Sequence, residues 1–148
     1  MALLKEKDWR EMFRLRRTIV RAEQALSEID RTLLPKGLCE RDLSILERLA
    51  RKGACPVNGL ARQVGLTSGS MTSAVQRLRR RGLVETRRDL EDKRVVWVSV
   101  TSEAEKIVES FSQLRGEALE EVFRKWSERE RSVLTNLLRR VRKDAKET

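Results

Sequence analysis

The sequence predicts a mainly α-helical protein with one small β-hairpin, which is an α+β fold class. Apolar residues recur every three or four positions through most of the 148 residues, as in amphipathic helices. Val95–Val100 is instead a run of mainly β-branched residues, which favours a strand. A chain of 148 residues is about the length of one domain, so we expect residues 1–148 to form a single domain.

The composition limits the possible functions. Lys and Arg number 33 against 23 Asp and Glu, and the formal charge of +10 favours a polyanionic partner. Histidine is absent and only Cys39 and Cys55 supply thiols, so His/Cys metal sites and imidazole catalysis are excluded. No glycine loop of the phosphate-binding type occurs either. We therefore expect no cofactor, no metal and no enzymatic activity.

The N-terminal sequence and the cysteine usage indicate a compartment. Lys5-Glu6-Lys7-Asp8 interrupts the chain before a signal-like apolar run develops, and no stretch is long enough to span a membrane. Two cysteines provide no disulfide framework, which fits a reducing environment. We expect a cytoplasmic protein with no membrane partner.

The first predicted helix runs from about Lys5 to Leu33. Its main stripe repeats every seven residues, which is the seam by which one helix pairs with another. This stripe comprises Met12, Leu15, Ile19, Ala22, Leu26, Ile29 and Leu33. A second stripe comprises Trp9, Phe13, Arg16 and Val20. Two stripes imply two neighbours, so we favour a second subunit over a monomer with one wide core-facing stripe.

Three shorter helices are predicted next. After the break at Pro35-Lys36-Gly37, a helix from about Glu40 to Lys52 turns four residues inward: Leu43, Leu46, Leu49 and Ala50. The helices Asn58–Val64 and Ser68–Arg81 then follow, separated only by Gly65-Leu66-Thr67. This is the spacing of a helix-turn-helix, whose second helix enters the DNA major groove.

The second helix of this pair has two chemically different faces. Thr67 can cap its start, and Gly82 can supply the left-handed residue after its end. One face is apolar, with Met71, Ala74, Val75 and Leu78. The other face carries Ser70, Ser73, Gln76, Arg77 and Arg80. Such a face fits DNA, whereas a winged-helix module that binds protein, our alternative interpretation, would expose apolar groups there.

A hairpin follows this helix. The predicted strands Leu83–Thr86 and Val95–Val100 flank the basic pair Arg87-Arg88 and the charged tip Asp89–Arg94, and together they form the wing of a winged helix. The stretch resembles the MarR family of winged helix-turn-helix transcriptional regulators. The residues that carry the resemblance are Leu60-Ala61, Arg77-Leu78, Gly82-Leu83-Val84, Asp92-Lys93-Arg94 and Val98-Ser99-Val100-Thr101.

The resemblance has implications for the whole chain. It implies a DNA-binding part over residues 38–100, with a short strand near Ala54–Val57 joining the wing, and a helical dimerisation part formed by residues 1–37 and 101–148. It also implies a homodimer that binds double-stranded DNA at a pseudo-palindromic operator, commonly as a repressor.

Two C-terminal helices complete the chain. Thr101 or Ser102 would cap the first, and Ser102 with Glu105 has the spacing of a capping box. Ser127 with Glu130 repeats that spacing before the last helix. The predicted dimerisation residues are Met12, Leu15, Ile19, Leu26, Leu134, Leu137, Leu138 and Val141.

The predicted DNA contacts lie on the second helix of the pair and on the wing. They are Ser68, Gly69, Ser70, Thr72, Ser73, Gln76, Arg77, Arg80, Arg87, Arg88, Asp92, Lys93 and Arg94. Gln76 can pair with adenine, and Arg77 can reach guanine or a phosphate. The resemblance implies that Arg94 enters the minor groove, and Asp92 could hold its guanidinium. For Arg79 and Arg81, DNA contact and a solvated face are equally open.

The resemblance also makes a small aromatic or phenolic effector, or an oxidant, a candidate regulator. Trp9, Phe13 and Arg16 could bind an aromatic carboxylate, although an arginine extended to solvent or in an ion pair is the preferred interpretation. Cys39 precedes a helix, where the dipole favours a thiolate and a redox switch. A buried, inert thiol is the preferred interpretation there.

Overall fold

The computed structural model describes residues 6–148. Within them the helices are α1 (Glu6–Leu33), α2 (Glu40–Lys52), α3 (Val57–Gln63), α4 (Ser68–Arg80), α5 (Ser102–Phe123) and α6 (Glu128–Glu147). The strands are β1 (Cys55–Pro56), β2 (Val84–Arg88) and β3 (Val96–Val100). The predicted fold, mainly helical with a small β-hairpin, is confirmed. Lys5, where the sequence predicts the start of the first helix, lies outside the described residues.

The chain divides into two compact units, one ending at Leu114 and the other spanning Arg115–Thr148. In the first unit, one core joins α2, α3, α4, the sheet and the start of α5. The four apolar residues predicted on α4 are all buried, and so are three of the four predicted on α2. Ala50 is exposed, so its predicted inward position is wrong. Ile45 is fully buried instead, because the stripe of α2 is centred between Leu46 and Leu49.

The sheet has the strand order β1-β3-β2, and both strand pairs are antiparallel. β2 and β3 form the wing hairpin, in which Thr86 pairs with Val98. The predicted short strand near Ala54–Val57 is confirmed as β1, where Cys55 pairs with Val98 on the other side. Because β3 is central, Val98 is fully buried and anchors the hairpin to the core.

Capping residues define the ends of α4 and α5, the helices that precede and follow the wing. Thr67 Oγ1 accepts the Ser70 amide at 3.2 Å and caps α4 as predicted. Gly82, after α4, has φ +70°, which confirms the left-handed position. Thr101 caps α5, because its Oγ1 accepts the Ala104 amide at 3.3 Å. The predicted capping role of Ser102 is therefore wrong, since Ser102 is already the first residue of the helix.

In the second unit, α6 begins with a complete capping box. Ser127 Oγ accepts the Glu130 amide at 3.2 Å, and Glu130 Oε2 accepts the Ser127 amide at 2.8 Å. The predicted box is confirmed. The Ser127 hydroxyl, which donates to Glu130 Oε2 at 2.7 Å, and the Ser127 amide together lower the pKa of Glu130. None of the described helices is long and apolar enough to cross a membrane.

Candidate nucleic-acid interface

The polar face of α4 is exposed along its whole length. All eight predicted contact residues on this helix are exposed: Ser68, Gly69, Ser70, Thr72, Ser73, Gln76, Arg77 and Arg80. A Cβ built at Gly69 would point into open space. The helix therefore presents hydroxyl, amide and guanidinium groups to solvent while its other face packs into the core.

Arg77 also has a structural role that sequence reasoning missed. Its guanidinium pairs with the carboxylate of Asp42 in α2, which is only 2% exposed. Asp42 also accepts the backbone N–H of Cys39 at 3.2 Å. Desolvation alone would raise the pKa of Asp42, but the hydrogen bonds from Arg77 and Cys39 outweigh it and hold that pKa below its ordinary value.

Arg79 and Arg81 differ in orientation, although both are exposed. The Arg81 guanidinium donates to the carbonyl oxygens of Gly37 and Lys36, the latter at 3.2 Å. Arg81 thus ties the end of α4 to the segment between α1 and α2. Arg79 instead faces the side of α4 that lies toward the wing, where it lines a cleft with residues of β2 and β3.

The tip of the wing is organised by Asp89, which sequence reasoning also missed. Asp89 Oδ1 accepts the amides of Glu91 and Asp92 at 3.0 and 3.1 Å. Asp89 Oδ2 accepts the indole N–H of Trp97 at 2.9 Å. These donors, the Asp92 amide foremost, hold the pKa of Asp89 below its ordinary value. An aspartate that accepts the amides two and three residues on is a common turn signature, which could have revealed this role.

Arg94 is held at the tip by two hydrogen bonds to one carboxylate. Its Nε and Nη2 donate to Asp92 Oδ1 and Oδ2 at 3.0 and 3.1 Å, so the predicted pairing of these two residues is confirmed. The Arg94 side chain lowers the pKa of Asp92 and is itself 91% exposed. Nearby, Arg88 Nη1 donates to the Lys93 carbonyl at 2.9 Å. The wing therefore presents a fixed, accessible guanidinium to solvent.

The predicted dimerisation residues are exposed or half-buried in the single chain. On α1, Met12 and Leu15 are 51% and 52% exposed, whereas Ile19 and Leu26 are half-buried. On α6, three residues are exposed, namely Leu137, Leu138 and Val141, and Leu134 is half-buried. Each unit thus carries a helix with unburied apolar side chains.

The candidate effector residues lie at opposite ends of α1. Trp9 and Phe13 form an edge-to-face pair with ring centroids 5.6 Å apart, and both rings are exposed. The guanidinium over Trp9 belongs to Arg10, at 5.5 Å from the ring centroid, and Arg16 is exposed. Cys39 lies beyond the other end of α1, at the N-cap of α2.

The two thiols have opposite environments. Cys39 is exposed, so its interpretation as a buried thiol is wrong, because the N-cap of α2 faces solvent. The buried cysteine is Cys55 in β1, and burial raises the pKa of its thiol. Cys39 is therefore the more accessible of the two thiols.

Comparison with known proteins assigns the family. The sequence pattern of the MarR family matches residues 38–96, from the end of the linker to the start of β3. The HTH-type transcriptional regulator FarR of Neisseria gonorrhoeae is 31% identical over 108 residues, covering 70% of this chain and 74% of FarR. This chain belongs to the MarR family. It is a transcriptional regulator with a DNA-binding winged helix.

Solved MarR-type structures have the same fold. NadR in complex with 4-hydroxyphenylacetate matches with a TM-score of 0.67 and 25% identity, covering 84% of this chain and 89% of NadR. FabT of Streptococcus pneumoniae in complex with DNA matches with a TM-score of 0.75 and 16% identity, covering 94% of this chain and 98% of FabT. At that identity, the likeness to FabT concerns the fold alone.

Proposed function

We propose that this MarR-family regulator binds double-stranded DNA sequence-specifically, as a homodimer on a pseudo-palindromic operator, and represses transcription there. The observation that carries this proposal is the exposed polar face of α4 next to a wing that presents Arg94. Gln76 and the hydroxyls of α4 would read base edges in the major groove. Arg94 would enter the adjacent minor groove, where negative potential is concentrated.

The homodimer is supported by the apolar side chains that the single chain leaves unburied on α1 and α6. Seven-residue spacing on α1 is typical of helices that pair. A dimer would place two copies of α4 about 34 Å apart, which is one turn of B-form DNA. Within this proposal, residues 38–100 are the DNA-binding part, and residues 1–37 and 101–148 are the dimerisation part, of one domain over residues 1–148.

Regulation by a small aromatic or phenolic acid is the second element of the proposal. It is supported by the complex of NadR with 4-hydroxyphenylacetate and by the exposed aromatic pair on α1 of this chain. Exposed Cys39 offers oxidation as another route of release, because its amide bonds to Asp42, the partner of Arg77 on α4.

Selection of bound sequences from random duplex DNA at a stated salt concentration tests the proposal. We expect an inverted repeat whose half-sites are one helical turn apart, and a dimer in sedimentation equilibrium. A direct repeat, a single half-site or a monomer at micromolar concentration would contradict the dimeric arrangement. Failure to enrich any sequence would contradict sequence-specific binding.

The effector is tested on the selected duplex. Titration with 4-hydroxyphenylacetate, and separately with peroxide, should lower the anisotropy of a labelled duplex. Cys39→Ser should abolish the response to peroxide and keep the response to the acid. If neither agent releases DNA from the wild type, this part of the proposal is wrong.

A further inference from the structure

Two clefts flank α4, one on each side. The wing-side cleft, of about 880 Å³, lies between α3, α4 and the wing. Its arginines are Arg62, Arg79, Arg87, Arg88 and Arg94. The α2-side cleft, of about 350 Å³, lies between α2 and the start of α4. Its arginines are Arg41 and Arg77.

The charged side chains that line the two clefts are arginines. No Asp or Glu lines either cleft in the part of the chain that the structure describes. Two of the arginines, Arg77 and Arg94, are paired with the carboxylates of Asp42 and Asp92. The guanidinium groups of Arg62 and Arg79 make no hydrogen bond or ion pair within residues 6–148. Their guanidinium groups are therefore available to an external anion.

The geometry of B-form DNA relates these clefts to the duplex. An α-helix with its side chains is about 10–12 Å across, and the major groove is about 12 Å wide. A helix seated in that groove therefore has one sugar-phosphate backbone on each side. The wing reaches toward the neighbouring minor groove, so the backbone that separates the two grooves must cross the space between α4 and the wing.

We infer that the two clefts are the phosphate-binding sites of this regulator, each taking one strand of the duplex; this inference rests on the proposed DNA binding. It assigns phosphate contacts to Arg62 and Arg79 on the wing side and to Arg41 on the α2 side. Asn58, which also lines the wing-side cleft, can donate a further hydrogen bond to a phosphate oxygen.

These arginines supply affinity but not sequence choice. Contacts to phosphate are the same for every sequence, so they position the protein while α4 reads the bases. Each phosphate contact releases counterions from DNA, which makes binding steeply dependent on salt. The bases would be read by exposed α4 side chains that line the clefts, Gln76 on the wing side and Ser70 and Ser73 on the α2 side.

The test is the salt dependence of duplex binding, measured by anisotropy from low to moderate salt on the selected operator and on unrelated DNA. For each of Arg62→Ala, Arg79→Ala and Arg41→Ala, we expect the slope of log K against log salt to fall by about one. Affinity should fall by a similar factor, about three- to tenfold, on both duplexes. Arg51→Ala is the matched control, because exposed Arg51 in α2 lines neither cleft, and its slope should equal that of the wild type.

Two further measurements separate charge from fold. Arg79→Lys keeps the charge and should restore most of the slope. Replacing the phosphate that contacts Arg79 by a neutral methylphosphonate should weaken duplex binding by the wild type but not by Arg79→Ala.

An unchanged slope in all three alanine variants, or a loss of affinity confined to the operator duplex, would overturn the inference while leaving the proposed DNA binding intact. Wild-type protein that binds no duplex would overturn both. If a small carboxylate binds in the wing-side cleft and displaces the duplex, while the slopes of log K against log salt do not change in the alanine variants, the cleft is an effector site instead.

Discussion

The recognition helix α4 and the wing share one proposed task but are held in place differently. α4 is seated by four buried apolar residues and by the pairing of Arg77 with buried Asp42. The tip of the wing is held by hydrogen bonds to Asp89 and Asp92, which remain accessible to solvent. Damage to the support of α4 should therefore lower the stability of the fold, whereas damage to the support of the wing tip should weaken DNA binding and leave that stability unchanged.

The largest expected effect comes from the core side of α4. Leu78 is fully buried, so Leu78→Ala should lower the free energy of unfolding by about 2–5 kcal/mol through lost burial and a cavity. Leu90→Ala at the wing tip is the matched control, because Leu90 is 80% exposed and its loss should cost less than about 0.5 kcal/mol. Urea unfolding measures both, and equal effects would refute the distinction between the two regions.

The ion pair under α4 should show the next largest effect. Arg77→Ala leaves the buried Asp42 carboxylate without its guanidinium partner, and we expect a loss of about 1–3 kcal/mol in the free energy of unfolding. Arg80→Ala removes an exposed neighbour that makes no ion pair with any described residue, and it should change this energy by less than about 0.5 kcal/mol. If the two variants are equally stable, the pair contributes nothing.

The pH dependence of the same variant sharpens this test. The pKa of Asp42 in the folded protein is lowered below its ordinary value of 3.8, so its contribution to stability is present above that value. The contribution is lost as the pH falls through the lowered pKa of the folded state. The stability difference between wild type and Arg77→Ala should therefore be full at neutral pH and shrink below about pH 4.

Substitutions at the wing tip should change the affinity for DNA and leave the stability of the fold unchanged. Arg94 is 91% exposed, so Arg94→Ala should leave the thermal unfolding midpoint unchanged. We expect operator affinity to fall by roughly tenfold in an anisotropy titration, because the proposed minor-groove contact is lost. Lys93→Ala, which removes a neighbouring charge, should have the smaller effect. Unchanged affinity for Arg94→Ala would contradict the role of the wing.

The smallest expected effect is indirect. Asp89→Asn weakens the acceptor for two amides and for the Trp97 indole, so the Trp97 indole signal in an NMR spectrum should shift while those of Trp9 and Trp126 do not. Operator affinity should fall only a few-fold, because Asp92 still holds Arg94. A shift of all three indole signals would instead indicate a change in the whole fold.

Much of the fold was predictable because its signals are local. The stripe on α4, the Thr67 cap, Gly82 and the capping box of α6 each depend on residues within one or two helical turns. The pairing of Asp92 with Arg94 was predictable for the same reason, since these residues are two apart. The position of Ala50 was wrong because an alanine at the edge of a stripe fits either face of a helix.

The sequence alone determined the family, the order of the elements and the chemistry of the exposed face of α4, because periodicity, capping and composition act over short distances. Only the tertiary structure decided which arginines already bind a partner within the protein. Arg77 pairs with a residue 35 positions away and Arg81 with carbonyls 44 and 45 positions away, whereas no residue from 6 to 148 pairs with the guanidinium of Arg62 or Arg79. A long arginine side chain can reach many partners, and which partner it contacts depends on which distant segments pack beside it.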